Sequence, residues 1–329
     1  QASIRTLASV FTGVHPPVPA KRSFTCVTQR KSSRQLSEPR GWQTYSTFHS
    51  HRMPGLMRGH LVRSRFIRGV SIAALPALAI AAPAGTAPAG AASGVRYVAL
   101  GDSYSAGLGA GGYEPSSGRC ERSANAYPQD WAASNAPASF RSVACAGATT
   151  VDVRRRQLSA LSARTTLVSI TIGGNDAGFA GIMERCVLEP VHACVHAISS
   201  AQSFASRALS TRLDATLLAI HAHAPTARVV VLDYPEIYDI SRSATCVGIS
   251  TIKRRAIDRG ADRLDRVIAA AAARNGDVFR DVRRYFSGHE ICDPGSWLNS
   301  LTWPLADSYH PTASGQELGY LPAFRAAAG

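Results

Sequence analysis

Short apolar runs separated by helical stretches constrain the fold of this chain more than any other feature. The clearest runs cover residues 95–100, 167–172 and 229–232, and each is rich in β-forming side chains. The run at 167–172 is almost wholly apolar, as is typical of a parallel strand buried on both faces. Strands that alternate with helices predict a mostly parallel central sheet covered by helices on both sides.

The remaining elements are predicted from periodicity and from stop signals. Helices are expected at residues 124–134, 151–161, 195–223, 252–274 and 312–328, and further strands at 140–144 and 278–282. The helix at 252–274 has an apolar stripe, and Asn275-Gly276 ends it. This pattern extends over about 235 residues, which suits one α/β domain with its own core.

Three predicted strands end in loops of small residues that each carry one polar group. Ser103 follows the first strand, Gly147 follows the second and Asn175 follows the third. A fourth element, Asp307-Ser308-Tyr309-His310-Pro311, precedes the last predicted helix. Because open α/β sheets place their chemistry at the carboxyl ends of their strands, we expect these groups to converge.

These groups are the parts that acyl transfer requires. The Ser103 hydroxyl is a nucleophile that needs a base, and His310 is the candidate base because imidazole titrates near neutral pH. The backbone N–H groups of Ser103 and Gly147 and the side-chain amide of Asn175 are the candidate oxyanion donors. Glycine at position 147 lets a substrate approach the backbone closely.

Two acidic residues and four apolar residues near these loops are not assigned catalytic roles. Asp102 and Asp176 are expected to organise turns by accepting backbone N–H bonds. For the apolar residues before the histidine two interpretations are open, since they either belong to the core or line an acyl pocket. These residues are Trp297, Leu298, Leu301 and Trp303.

The four blocks together resemble the ordered motifs of the SGNH (GDSL-type) hydrolase family. They are Gly101-Asp102-Ser103-Tyr104-Ser105, Gly147, Gly173-Gly174-Asn175-Asp176 and Asp307-x-x-His310. Tyr104-Ser105 stands where the family's named motif has a leucine after the serine. The resemblance covers residues 95–325, and six cysteines and the Asp-Ser-Tyr-His-Pro segment make it similar to secreted Streptomyces-type lipases and esterases.

The resemblance implies a flavodoxin-like three-layer α/β/α fold and hydrolysis of carboxylic esters through an acyl-enzyme on Ser103. It also implies Asp307 as the third catalytic residue, which would hold the tautomer of His310. Some secreted relatives resemble a dyad instead, and the main-chain carbonyl of Ser308 would then orient the imidazole.

The first 93 residues differ from the rest of the chain in charge. They hold 12 Lys+Arg and one acid, whereas residues 94–329 hold 24 Lys+Arg and 21 acids. The formal net charge of +14 therefore belongs mostly to this leader, and nucleic-acid binding is not expected.

The leader divides into two predicted segments that precede the hydrolase domain at 94–329. Residues 57–93 have the layout of a secretory signal peptide, with several arginines, an uncharged apolar run at 69–82 and then small residues. Residues 1–56 are predicted to be a disordered basic extension, either a genuine arm or upstream sequence outside the natural product. We therefore expect a secreted protein.

Cysteine usage agrees with an extracellular location. Six of the seven cysteines follow the leader, and an even number in a secreted domain indicates disulfides. Sequential pairing is the simplest of the 15 possible arrangements. Each disulfide would then close a loop between core elements. The expected pairs are Cys120–Cys145, Cys186–Cys194 and Cys246–Cys292. No Cys-x-x-Cys accompanies them, and neither a metal nor a cofactor is predicted.

The sequence therefore predicts a monomeric secreted serine esterase or lipase that acts on a small-molecule or lipid ester. A transient contact with a lipid interface is part of this expectation. Phospholipase, acyltransferase and polysaccharide deacetylase activities are alternatives that use the same site. A catalytically inactive carbohydrate- or lipid-binding module is an alternative of another class, and the intact Ser103, Asn175 and His310 argue against it.

Overall fold

The computed structural model describes residues 93–242 and 244–328 of the chain. The predicted basic extension and, apart from Ser93, the predicted signal peptide lie outside these residues. None of the helices in the described ranges is long and apolar enough to cross a bilayer.

Five parallel strands form the central sheet. They are β1 (Ser93–Gly101), β2 (Pro137–Ser142), β3 (Leu167–Thr171), β4 (Arg228–Leu232) and β5 (Val278–Arg280), in the spatial order β2-β1-β3-β4-β5. Gly101 at the end of β1 pairs with Thr171 at the end of β3. This register brings the loops that follow β2, β1 and β3 to one edge of the sheet, side by side.

Helices connect the strands and cover the sheet. They are α1 (Ser103–Ala106), α2 (Tyr127–Asn135), α3 (Thr150–Asp152), α4 (Phe179–Leu188), α5 (Val191–Phe204), α6 (Ser210–His223), α7 (Thr251–Asn275), α8 (Arg283–Phe286) and α9 (Leu321–Ala328). Wider turns of π type lie at Val153–Gln157, Ala205–Leu209 and Gly315–Tyr320. Short 3₁₀ segments lie at Pro115–Cys120, Leu158–Ala160 and Leu305–Asp307.

Aromatic contacts show how one face of the sheet is covered. The Tyr97 ring of β1 stacks on Phe324 of α9 at 5.3 Å between centroids and meets Trp131 of α2 edge-on at 5.2 Å. On the other face, helix α7 packs against β4 and β5 and against both α5 and α6. All five residues of β3 are buried, as a strand between two helical layers requires. The predicted three-layer α/β/α fold is thus confirmed.

Two helical predictions differ from the structure. The helix expected at 151–161 is broken into the short α3, a π turn and a 3₁₀ turn. Helix α4 was not predicted from the sequence. It begins after Gly178, whose φ of +83° makes it the N-cap.

The three expected disulfides are confirmed, with S–S distances of 2.04, 1.96 and 1.94 Å. Cys120–Cys145 joins the segment after α1 to the loop after β2. Cys186–Cys194 joins the consecutive helices α4 and α5 and closes the short connection between them, so it also lies between core elements, as expected.

Removing Cys246–Cys292 should destabilise the protein more than removing Cys186–Cys194. The two bridges close segments with sequence separations of 46 and 8 residues. Loop entropy predicts losses of about 4 and about 2.5 kcal/mol in the free energy of unfolding. Thermal melts of the two double-alanine variants should therefore differ by roughly 3–6 °C. Equal shifts, or a larger shift for Cys186→Ala/Cys194→Ala, would contradict this.

Candidate active site

The end of β1 places Ser103 at the carboxyl edge of the sheet. Gly101 has φ +121°, and a Cβ there would lie 2.5 Å from the carbonyl oxygen of Thr171. Only glycine fits this close approach between paired strands. The chain then turns sharply into α1, whose N-cap is Asp102 and whose first residue is Ser103. The Ser103 side chain is buried, with the residue 6% exposed.

His310 lies directly against the Ser103 hydroxyl. The distance from His310 Nε2 to Ser103 Oγ is 2.8 Å, although 207 positions separate the two residues. Burial lowers the pKa of His310 to about 4, and the carbonyls of Ser308 and Ala306 oppose this shift only in part. The imidazole is therefore neutral at neutral pH, which is the form that can accept a proton.

The carbonyl of Ser308 lies 3.0 Å from His310 Nδ1. A carbonyl can only accept a hydrogen bond, so this contact places the proton on Nδ1 and directs the lone pair of Nε2 towards Ser103. Tyr309, with φ +64°, allows the ring to return to a carbonyl two residues earlier. The Tyr104 hydroxyl donates to the Tyr309 carbonyl at 2.7 Å and ties this turn to α1.

The Asp307 carboxylate has a different partner. Its Oδ1 accepts a hydrogen bond of 2.6 Å from the Tyr113 hydroxyl, which in turn accepts from the Gly109 N–H at 2.9 Å. The structure therefore places the Ser308 carbonyl, rather than the Asp307 carboxylate, at His310 Nδ1. The turn at Tyr309 is the physical reason, because it directs the ring to the backbone and not to the side chain of residue 307.

Two of the candidate oxyanion donors, Gly147 and Asn175, lie in adjoining loops that follow β2 and β3. Asn175 Nδ2 donates to the Ala148 carbonyl at 3.1 Å, which joins its loop to that of Gly147. An amide has two N–H donors, so one remains for a ligand. Gly147 has φ +75°, and a Cβ there would meet no atom within 4 Å, so the backbone faces open space. The Ser103 N–H opens a helix and has no intrahelical acceptor.

Asp176 ties the same two loops a second time. Its carboxylate accepts from the Thr150 N–H at 2.8 Å and from the Thr150 hydroxyl at 2.7 Å. Arg212 contacts the same carboxylate at 3.4 Å. Asp102 likewise accepts from the Tyr104 N–H at 3.0 Å. Both acids thus accept backbone N–H bonds in turns, as the sequence suggested.

Tyr234 is a site residue that the sequence did not reveal. Its hydroxyl donates to Asp102 Oδ2 at 2.5 Å and accepts from the Gly174 N–H at 3.0 Å. One buried hydroxyl therefore joins the loop of Ser103 to the loop of Asn175. Burial raises the pKa of Asp102 to about 7, and the Tyr234 bond moderates that shift. The available signal was a tyrosine two residues after the end of strand β4, at the same sheet edge.

The four apolar residues that precede the histidine do not share one environment. Trp297 stacks on His289 with 3.6 Å between centroids, and Leu298 is buried. Trp303 is 81% exposed and Leu301 is also exposed. Within the described ranges, none of the four lines the cavity that opens beside Ser103.

The arrangement provides a hydroxyl in contact with a neutral base, and candidate N–H donors in the loops that follow β2 and β3. Such a set can open a carbonyl compound by nucleophilic attack and stabilise the resulting oxyanion. In the part of the chain that the structure describes, no group of three or more His, Cys, Asp or Glu side chains is arranged to hold a metal ion.

Comparison with known proteins agrees with this geometry. Residues 99–318 match the model of the GDSL-like Lipase/Acylhydrolase family. Over 233 residues the chain is 49% identical to Lipase 1 of Streptomyces coelicolor, covering 70% of this chain and 86% of that protein.

Two solved structures are similar in fold and sequence. One is phospholipase A1 from Streptomyces albidoflavus NA297, with a TM-score of 0.69, 49% identity and coverage of 71% of this chain and 99% of that chain. The other is an extracellular lipase from Streptomyces rimosus, with a TM-score of 0.69, 48% identity and the same coverage.

Replacing Tyr234 by phenylalanine should separate the two loops that its hydroxyl joins. Tyr234→Phe leaves the buried Asp102 carboxyl and the Gly174 N–H without this partner, which costs about 1–3 kcal/mol for each. We expect lower thermal stability and a kcat for ester hydrolysis that falls roughly 10- to 100-fold through misplacement of Asn175, with KM little changed.

Tyr97→Phe is the matched control. Tyr97 is also buried, and its hydroxyl bonds Ser169 Oγ at 2.7 Å within the sheet, without a direct bond to either loop. It should lose stability and keep the parent's kcat at temperatures where the protein is folded. A Tyr234→Phe variant with the parent's kcat would show that the bridge has no part in turnover.

Proposed function

The chain belongs to the GDSL-like lipase/acylhydrolase family and is a carboxylic ester hydrolase, and from that premise we propose that it is a secreted serine esterase or lipase that forms an acyl-enzyme on Ser103. The observation that carries the proposal is the contact of 2.8 Å between Ser103 Oγ and His310 Nε2. It joins a nucleophile to a base in the orientation that proton transfer requires.

In the first half-reaction, Ser103 Oγ attacks the ester carbonyl while its proton passes to His310 Nε2. The carbonyl oxygen becomes an oxyanion that accepts bonds from the N–H groups of Ser103 and Gly147 and from the Asn175 amide. His310 then returns the proton to the alcohol oxygen as the C–O bond breaks. The alcohol leaves, and the acyl group remains on Ser103.

In the second half-reaction, water takes the place of the alcohol. His310 Nε2 removes a proton from the water, the hydroxide attacks the acyl carbon, and the same donors hold the oxyanion. When the intermediate collapses, the proton returns to Ser103 Oγ and the free acid departs. The Ser308 carbonyl accepts from Nδ1–H throughout, which keeps the ring in one tautomer and orientation.

Secretion is supported by two independent features. The three disulfides belong to the chemistry of an oxidising compartment. A structurally similar protein at 48% identity, from Streptomyces rimosus, is described as an extracellular lipase. The predicted signal peptide at 57–93 would provide export and leave the hydrolase domain at 94–329.

Hydrolysis of phospholipid acyl esters is a second candidate function. It is favoured by the 49% identity and the TM-score of 0.69 to phospholipase A1 from Streptomyces albidoflavus NA297. Release of fatty acid from phospholipid vesicles, measured beside soluble nitrophenyl esters, separates the two functions.

Ser103→Ala tests the proposed nucleophile. The variant should lose hydrolysis of nitrophenyl esters by on the order of 10⁴-fold or more, because the oxyanion donors alone contribute little turnover. Asn175→Ala should lose about 10²–10³-fold in kcat, since one oxyanion donor is removed. Mass spectrometry of the parent with a slowly hydrolysed ester should find the acyl group on Ser103. Turnover by Ser103→Ala at the parent's rate would refute the mechanism.

Asp307→Asn tests how His310 is oriented. Asparagine keeps an acceptor for the Tyr113 hydroxyl, so the loop is preserved while the negative charge is lost. Because Nδ1–H donates to a backbone carbonyl, we expect kcat to fall by less than about tenfold, whereas loss of a true triad carboxylate costs about 10⁴-fold. His310→Gln provides the reference for loss of the base. A loss in Asp307→Asn as large as that in His310→Gln would favour a triad.

A further inference from the structure

We propose that the loop before His310 docks this enzyme on a lipid–water interface, with Trp303 and Leu301 as the side chains that enter the lipid. We call residues 299–306 the docking loop. The inference rests on the proposed function, since it gives a place of attachment to an enzyme whose ester substrate is a lipid. It also accounts for two apolar residues that, within the described ranges, belong neither to the buried core nor to the cavity wall beside Ser103.

Two side chains of the docking loop present apolar surface to the solvent. Trp303 is 81% exposed and Leu301 is 51% exposed. In the part of the chain that the structure describes, Trp303 is the one aromatic side chain that is mostly exposed. A single exposed leucine is common on a protein surface, whereas large exposed apolar residues close together are typical of an interaction site.

The absence of charge indicates what kind of partner this surface fits. Residues 294–306 hold no Asp, Glu, Lys, Arg or His, although 18% of the whole chain is Asp, Glu, Lys or Arg. The charged residue that ends this run is Asp307, and its carboxylate accepts a bond of 2.6 Å from Tyr113. An uncharged surface does not attract a nucleic acid or an oppositely charged protein. An exposed tryptophan with apolar neighbours matches instead the boundary of a lipid layer, where the ring lies in lipid and the indole N–H stays near the headgroups.

Hydrogen bonds tie the docking loop to the turn that carries His310. The Asn299 N–H donates to the His310 carbonyl, and the Tyr309 N–H donates to the Asn299 carbonyl, both at 2.9 Å. The Thr302 N–H donates to Ser308 Oγ at 3.0 Å. Backbone and hydroxyl groups therefore close the loop at its base, and its exposed apolar side chains are left for another partner.

The same contacts connect the docking loop to catalysis. The residue whose carbonyl faces His310 Nδ1 is Ser308, and its hydroxyl holds the residue next to Trp303. Asn299 Nδ2 also donates to the Gly109 carbonyl at 3.0 Å, in the segment that follows α1. An enzyme anchored through Trp303 therefore holds its base at the lipid surface, which is where the ester groups of lipids lie.

Leu218 provides a matched control, because it is also an exposed leucine. It is 61% exposed on α6. Helix α6 ends at His223 and β4 begins at Arg228, so the second half of α6 lies towards the amino ends of the strands. The catalytic groups and the docking loop lie at the carboxyl ends. Replacing Leu218 by serine therefore removes a comparable apolar side chain from a different part of the surface.

Binding to vesicles of dialkyl ether phosphatidylcholine tests the docking loop, because this lipid has no ester to hydrolyse. The parent is compared with Trp303→Ser, Leu301→Ser, Trp303→Phe and Leu218→Ser. Trp303→Ser should lower the partition coefficient about 10- to 100-fold and Leu301→Ser about tenfold, since each variant loses the burial of a large apolar side chain. Trp303→Phe should stay within about fivefold of the parent because the ring is kept. Leu218→Ser should stay within about twofold.

Further measurements identify the contact as apolar and connect it to turnover. The tryptophan emission of the parent should move to shorter wavelength on the vesicles, and this shift should disappear in Trp303→Phe, which still binds. Because the docking loop is uncharged, binding should change by less than about twofold between about 50 mM and about 500 mM NaCl. On diester phosphatidylcholine vesicles, the rate of hydrolysis relative to that of a soluble nitrophenyl ester should fall in Trp303→Ser. Leu218→Ser should keep the parent's ratio.

Three results would overturn the proposal. The first is a parent that does not bind the ether vesicles, or binding by Trp303→Ser and Leu301→Ser that equals the parent's. Thermal melts show which of these two variants is folded, and a folded one decides. The second is binding that requires anionic phosphatidylglycerol and is lost in high salt, which would show an electrostatic contact. The third is a parent dimer in sedimentation velocity that Trp303→Ser dissociates, which would assign this surface to a second copy of the chain.

Each of these results leaves the proposed function intact if the parent hydrolyses soluble nitrophenyl esters and Ser103→Ala does not. A parent that hydrolyses no ester would instead refute the proposed function itself, whatever its binding to vesicles.

Discussion

The hydrogen bond between Ser103 and His310 joins two residues that are 207 positions apart, and much of the surrounding structure holds its two ends in register. One end is held by the close packing of Gly101 on the Thr171 carbonyl, which fixes where α1 begins. The other end is held by the Tyr104 hydroxyl on the Tyr309 carbonyl. Since Tyr104 belongs to α1, the helix that begins at Ser103 also positions the turn that carries His310.

The parallel sheet explains why so much of the site could be predicted from the sequence. Ser103, Gly147 and Asn175 each follow a strand, and the order β2-β1-β3 makes those strands neighbours. Strand ends are visible in a sequence as apolar runs that stop at glycine or small residues, so the sheet edge could be assigned before any contact was known. Sequential cysteine pairing succeeded for a similar reason, because neighbouring cysteines connect neighbouring elements.

Features that depend on one backbone angle or on distant contacts could not be predicted in this way. The partner of His310 depends on the positive φ of Tyr309. A tyrosine in the sequence does not indicate a left-handed backbone conformation. The role of Tyr234 depends on a hydroxyl that meets Asp102 from 132 positions away. The cavity was missed because its walls are helices, one of which was not predicted. The sequence drew attention to Trp297 and Trp303 instead, because large apolar residues are conspicuous in a sequence.

The charges of the site suggest why a carbonyl can replace a carboxylate beside His310. Burial raises the pKa of Asp102 to about 7, and the Asp307 carboxylate accepts a hydrogen bond from Tyr113. Neither carboxylate hydrogen-bonds to the imidazole in the described structure, where Nδ1 has the Ser308 carbonyl as its partner. In the proposed mechanism, proton transfer from Ser103 creates an imidazolium and an oxyanion together, and N–H and carbonyl dipoles are proposed to stabilise both of them. Dipoles avoid the desolvation penalty of a buried ion and need no reorganisation during the reaction.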